Sequence, residues 1–220
     1  MNDLKGLLLS YAYLFAVVLC GELLRVLTGG KSDRTRKFIH IGVGIWGLIA
    51  YWLLENWWAV LIPPASFVII NLLSFKWALF KSMEIDDKYN LGTVYYPLSL
   101  VILVAVFWRA GHPIPAIIGV MVMALGDGFA SIVGQAWGKH AYNVWFRRKT
   151  WEGSLAMFVF SVAAVMGVLL LTTDLTLTVI LLRALIIAAI ATPMEGLSPM
   201  GLDNLTVPLC SGFAYYLLFV

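Results

Sequence analysis

The chain has 220 residues, of which 61% are hydrophobic and only 12% charged, and its mean hydropathy is +0.90. A water-soluble domain must cover itself with polar side chains, so this composition excludes one and points to lipid as the solvent. The formal net charge of +3 is modest. With no basic stripe interleaved with aromatics, nucleic acid is excluded as a partner.

The composition predicts an all-α, polytopic membrane bundle of seven or eight transmembrane helices in a single membrane domain over 1–220. A span needs roughly 20 apolar residues. That length places helices near 5–27, 38–55, 57–75, 91–109, 113–137, 152–172, 176–193 and 204–220. Leu7 to Leu19 forms a first apolar run. The bulky Leu19 before Cys20 argues for a retained span over a cleaved signal. Cys20 and Cys210 lie far apart in apolar runs and are expected as free thiols. Nine Trp and nine Tyr suit interfacial belts.

The basic residues divide unequally. Arg25, Lys31, Arg34, Arg36 and Lys37 flank the first connection. Lys76, Lys81 and Lys88 flank the third, and Lys139, Arg147, Arg148 and Lys149 the fifth. Only Lys5, Arg109 and Arg183 fall to the other side. This bias predicts cytoplasmic odd-numbered connections. Glu84, Asp86, Asp87 and Lys88 read as a solvated loop.

Four polar constellations share that side. The first is Arg36-Lys37-Phe38-Ile39-His40, where the second span begins. Positions three and four apart share a helix face. Cations at a helix N-terminus oppose the macrodipole and suit a bound anion. The cluster also reads as a topogenic patch at the lipid headgroups.

The second constellation places Asp127 about three turns inside the fifth span, with Ser131, Gly134 and Gly138 on the same stripe. A carboxylate at that depth costs a few kcal/mol unless it is paired or binds a metal. Small residues there serve close approach of a ligand, or helix packing. Gly134 to His140 mimics a phosphate-binding loop. However, it is one residue short between its glycines and has His140 where Ser or Thr is needed.

The third is Arg147-Arg148-Lys149-Thr150-Trp151-Glu152-Gly153-Ser154. Thr150 is a candidate cap, Lys149 a candidate phosphate ligand, and Glu152 either a metal ligand or a first-turn acid. The fourth is a Gly- and Pro-rich loop from Thr192 to Pro208, carrying Glu195, Asp203 and Asn204. An ordinary connection with an N-cap explains it equally well.

Carboxylates with excess cations suit a magnesium-bound nucleotide, and phosphoryl transfer needs mainly positioning and charge stabilisation. The second substrate would arrive from the bilayer. The motifs Gly126-Asp127-x-x-Ala130-Ser131-x-x-Gly134-x-x-x-Gly138-Lys139-His140, Lys149-Thr150-x-Glu152-Gly153-Ser154 and Asp203-Asn204-x-x-x-Pro208 resemble the CTP-dependent polyprenol kinase family. Arg36-Lys37-x-x-His40 matches as well. That family includes dolichol, phytol and farnesol kinases and a CTP-dependent diacylglycerol kinase.

The resemblance implies CTP as donor, Mg2+ as metal and a membrane isoprenoid alcohol as acceptor. It places Asp127, Lys149, Glu152 and Asp203 at the catalytic site, with Asp127, Glu152 and Asp203 on the metal. Arg36, Lys37, His40, Ser131, Gly134, Gly138, Lys139, Thr150, Glu195 and Asn204 would bind nucleotide or substrate. The Lys149-to-Gly153 segment also resembles phosphatidate cytidylyltransferase, but Met200-Gly201-Leu202-Asp203-Asn204 departs from that enzyme's ending. Glu152 departs from the phytol-type pattern, which leaves the alcohol open. A transporter is the competing class. It would place charges near the midplane of paired repeats, and no repeat is visible. A homo-oligomer is neither required nor excluded by these features.

Overall fold

The computed structural model describes residues 2–29, 33–77, 91–144, 147–199 and 201–220. Lys31, Lys81, Glu84, Asp86, Asp87 and Lys88 lie outside the described residues. The described chain forms eight helices in sequence: α1 Asp3–Leu27, α2 Asp33–Leu53, α3 Trp57–Trp77, α4 Gly92–Trp108, α5 Pro113–Trp137, α6 Trp151–Thr172, α7 Leu177–Leu197 and α8 Asp203–Phe219. The all-α bundle anticipated from composition is the observed fold. Five helices, α1, α3, α5, α6 and α7, are long and apolar enough to cross a membrane.

Helix α5 is the central element. Within its apolar stretch 72% of residues are buried, against 22% in α1. A helix that is apolar on all sides belongs in the middle of a bundle. Ile117, Ile118, Val122 and Met123 of α5 pack with Trp46 of α2, Met157 and Val165 of α6 and Ile187 of α7 in one continuous core. Outer helices present Leu instead. Leu8 and Leu19 of α1, Leu155 of α6 and Leu182 of α7 are exposed, as lipid-facing side chains should be.

Close helix contacts fall where side chains are smallest. A Cβ on Gly6 would lie 2.2 Å from the Leu53 carbonyl oxygen, so α1 meets the end of α2 backbone to backbone. At that end Asp3 accepts from the Glu55 amide at 2.9 Å and from Asn56 Nδ2 at 2.6 Å. These bonds tie the start of α1 to the turn between α2 and α3. Cys20 and Cys210 are free cysteines on α1 and α8.

Three local features differ from expectation. Helix α2 starts at Asp33, so Arg36 and Lys37 lie inside its first turns and do not crown its N-terminus. Helix α7 runs through Pro193 to Leu197, so Glu195 is helical and sits in no loop. The last carbonyls of a helix need outside donors. Lys149 Nζ supplies one to the Glu195 carbonyl oxygen at 2.5 Å, and Ser198 Oγ one to Met194 at 2.6 Å.

The third feature is an antiparallel β-hairpin between α5 and α6. Strand β1 (Ala141–Val144) pairs with β2 (Arg147–Thr150), and Tyr142 stands opposite Lys149. Charge patterning alone made this stretch look like a basic loop.

Candidate active site

One backbone device aims the key acid. Residues Val122–Asp127 of α5 form a π-helical turn before the α-helix resumes at Gly128. Such a turn inserts an extra residue and rotates the later part of the helix by about 100°. Gly126 consequently faces α6, where a Cβ would meet Ser161 Oγ at 2.5 Å. Asp127 faces α2 instead. Its carboxylate accepts from Lys37 Nζ at 2.5 Å, with His40 Nε2 3.6 Å away. The Asp127 side chain is only 5% exposed. Without Lys37 its burial would be costly.

His40 is itself held. Its Nε2 lies 3.2 Å from the Met123 carbonyl oxygen, its ring stacks on Tyr96 at 4.3 Å, and Tyr96 donates to the His40 carbonyl oxygen at 3.2 Å. Lys37 and His40 are thus locked against α5 and α4. They belong to the protein interior rather than to a headgroup patch.

The second acid arrives on α7. Glu195 accepts from Lys149 of β2 through both its carboxylate and its main-chain oxygen. The hairpin therefore presents Lys149 inward, and that lysine fastens the end of α7. The third acid opens α8. Gly201 has φ +80°, a left-handed conformation that glycine adopts without strain. This reverses the chain between α7 and α8 and delivers Asp203. The Asn204 amide and Nδ2 donate to Asp203 Oδ1 at 2.9 and 3.1 Å. Among the described residues, no ion pair reaches Asp203.

Asp127, Glu195 and Asp203 each offer an oxygen atom, and these oxygens lie within 4.8 Å of one another. Three carboxylates at that spacing repel strongly in a buried site, so a further cation is favoured there. Hard oxygen ligands in this number fit magnesium or calcium, whereas Cys and His sets fit softer metals.

The trio opens on a cavity of about 380 Å³. Arg36, Lys37, His40, Ser131, Gly134, Arg148, Lys149, Thr150, Glu195, Asp203 and Asn204 line it together with Asp127. Every helical lining residue lies at its helix's midpoint or in the half towards the first, third, fifth or seventh connection, and the others belong to the hairpin and to the turn before α8. Charge separation along the chain thus becomes a site at one end of the bundle.

Three further candidates, Glu152, Gly138 and Lys139, do not line the cavity. Glu152 turns away and pairs with His140 Nδ1 at 2.7 Å, and the His140 side chain is 78% exposed. Its carboxylate also accepts from the His140 amide at 3.2 Å, fixing the hairpin's entry to α6. Gly138 packs on the protein itself, since a Cβ there would lie 2.2 Å from the Gly134 carbonyl oxygen and 2.5 Å from Thr150 Cγ2. Lys139 is not among the residues lining the cavity. Thr150 has two duties: it lines the cavity and caps α6 through the Gly153 amide at 3.2 Å. Arg148, Gln135, Ser154 and Tyr96 also line the cavity; the sequence places Arg148 and Ser154 in the third constellation and Tyr96 at the start of the fourth span, where it suits a cavity entrance, and gives only Gln135 no role. Arg148 had a signal, because it neighbours Lys149, whereas Tyr96 had only its place at the start of a span.

No family model and no solved structure matches the chain. Curated relatives do. A phytol kinase of Synechocystis sp. is 41% identical over 203 residues, spanning 92% of this chain and 87% of the relative. Phytol kinase 1 of Arabidopsis thaliana is 30% identical over 230 residues, spanning 93% and 73%. A farnesol kinase of the same plant is 31% identical over 205 residues, spanning 84% and 65%. Identity of this extent shows the family: the chain belongs to the lipid-alcohol kinase family that includes the phytol and farnesol kinases.

Proposed function

We propose that the chain transfers the γ-phosphate of CTP to the hydroxyl of a membrane isoprenoid alcohol, at the cytoplasmic face and with Mg2+. One observation carries this reading. Three carboxylates from α5, α7 and α8 face cations from α2 and β2 across a single cavity. Such a set matches a polyanion bound with a divalent cation. The relatives' names supply the alcohol class.

Asp127, Glu195 and Asp203 would hold the metal, and Mg2+ would neutralise charge on the phosphate oxygens. Lys37 and Lys149 hold two of these acids in place and add positive charge beside them. Arg36 and Arg148 line the same cavity and can face the outer phosphates. In the transfer, the alcohol's O–H bond breaks and an O–P bond forms, while the phosphoanhydride bond to the γ-phosphorus breaks. The products are a lipid monophosphate and CDP, and the proton leaves to a carboxylate of the trio. Positioning and charge stabilisation dominate such reactions.

The cytoplasmic assignment rests on the basic residues that flank the cavity end of the bundle. That face meets nucleotide and magnesium, while the bilayer delivers the alcohol.

The test uses purified protein, CTP labelled at the γ-phosphate, and a panel of prenols, phytol, diacylglycerol and phosphatidate. Label is expected in an isoprenoid monophosphate. Label that stays in CTP across the panel overturns the proposal. Pyrophosphate with a CDP-lipid would instead establish cytidylyl transfer.

A further inference from the structure

The three acids are not equally matched by cations. Lys37 bonds to Asp127 and Lys149 to Glu195, whereas Asp203 pairs with no cation among the described residues. One oxygen of each acid lies within 4.8 Å of the others. Both ammonium groups therefore stand beside the point where a divalent metal would be held. An ammonium and a metal repel each other there, and most strongly where water is scarce. The Lys149 and Glu195 side chains are 15% and 10% exposed, so little water screens them.

Lys149 is the lysine that can give way. Its Nζ donates to the Glu195 carboxylate and also to the Glu195 main-chain oxygen, the latter at 2.5 Å. The main-chain bond alone satisfies the end of α7. The carboxylate bond adds nothing to that cap, so it can be exchanged while the helix end stays capped. The backbone around the lysine is fixed by the pairing of Lys149 with Tyr142 and by the Thr150 cap on the Gly153 amide at 3.2 Å. A turn of the terminal torsion is then enough, because an ammonium carries three donors on one rotor. Lys149 also lines the cavity beside Arg36 and Arg148, which suits the freed donor to an anion.

We infer that Lys149 and a divalent metal compete for the Glu195 carboxylate, and that the displaced ammonium, still tied to the Glu195 main-chain oxygen, becomes a phosphate ligand. The inference rests on the metal-assisted kinase reading above and gives that site its regulation. Metal and nucleotide then favour each other through one side chain. The metal frees a donor for the phosphate, and the phosphate holds that donor away from the metal. Such coupling is reciprocal by necessity.

The experiment measures the metal without any turnover. Mn2+ binding, followed by electron paramagnetic resonance in the absence of nucleotide, compares wild type with Lys149→Met and Lys149→Arg. Lys149→Met is expected to lower the Kd for Mn2+ by about tenfold or more, because a positive charge beside the ion has gone. Lys149→Arg keeps the charge and should bind Mn2+ much as wild type does. A second readout needs no variant, and it decides alone should Lys149→Met not fold. Wild-type protein is acylated with an N-hydroxysuccinimide ester, and mass spectrometry compares Lys149 with the exposed Lys139. Mg2+ alone should raise labelling of Lys149, and Mg2+ with a non-hydrolysable CTP analogue should lower it again. A folded Lys149→Met with unchanged or weaker Mn2+ binding overturns the exchange, as does Lys149 labelling indifferent to Mg2+. A wild type that phosphorylates no alcohol would refute the kinase reading and leave these metal measurements standing, whereas an active wild type that fails them refutes only the exchange.

Discussion

Removing the ammonium from Lys37 tests the electrostatic logic of the site most directly. Asp127 is 5% exposed and Lys37 12%, and their charged atoms are 2.5 Å apart. Lys37→Met leaves the carboxylate buried, with His40 at 3.6 Å as the nearest base left to it. Breaking a buried pair from one side costs about 3–5 kcal/mol, because the surviving charge is stranded. In a chain of this size 1 kcal/mol corresponds to roughly 2–4 °C in Tm, so the variant should melt on the order of 10 °C lower. Lys37→Met with Asp127→Asn removes both charges, and an apolar replacement of a buried pair is often neutral. The double variant should therefore melt closer to wild type than Lys37→Met alone. The assay is thermal unfolding in detergent across the full double-mutant cycle, run without divalent metal. Losses that simply add would show that the two residues do not interact and would refute the placement of Asp127 against α2.

Other expectations come from the same geometry. Asp127→Ala should abolish turnover while membrane insertion, read from extraction behaviour, stays intact. Glu195→Gln should lower kcat by about 10²–10³, the range for loss of a preorganised charge at a reacting centre, whereas Glu152→Gln should change it only a few-fold. Equal losses at the two glutamates would contradict the observed separation of Glu152 from the trio. Titration with Mn2+ followed by electron paramagnetic resonance should show a bound ion in the wild type and weaker binding in Asp203→Asn. Gly153→Ala places a Cβ 3.1 Å from the Ala130 carbonyl oxygen and 3.4 Å from Gly134 Cα. It should loosen the α5–α6 contact and lower Tm, with a larger drop for Gly153→Val.

Much of this protein was legible before any coordinates. Apolar runs of span length can only be helices in lipid, because every backbone group must bond within its own segment. Most helix limits came out to within about two residues, α5 most closely at Pro113–Trp137, whereas α2 starts earlier, at Asp33, and α7 ends later, at Leu197, than the apolar runs predict. The one-sided distribution of Lys and Arg is likewise a linear property of the chain, and it named the end of the bundle where the cavity lies.

Which side chains meet was decided only by tertiary packing. Glu152 and Glu195 look alike in sequence, each beside a glycine near a helix end. The hairpin separates them. Pairing Tyr142 with Lys149 turns the lysine towards α7 and Glu195, while Glu152 closes on His140 at the surface. The continuation of α7 through Pro193 depended on donors from residues far along the chain or in the next loop, which no local propensity encodes. The extra residue in the π-helical turn had the same effect on Asp127, because a rotation about the helix axis has no signature in a run of apolar residues. Local hydrophobicity sets where a helix begins and how long it is. The direction in which each charged group points is a property of the neighbours that surround it.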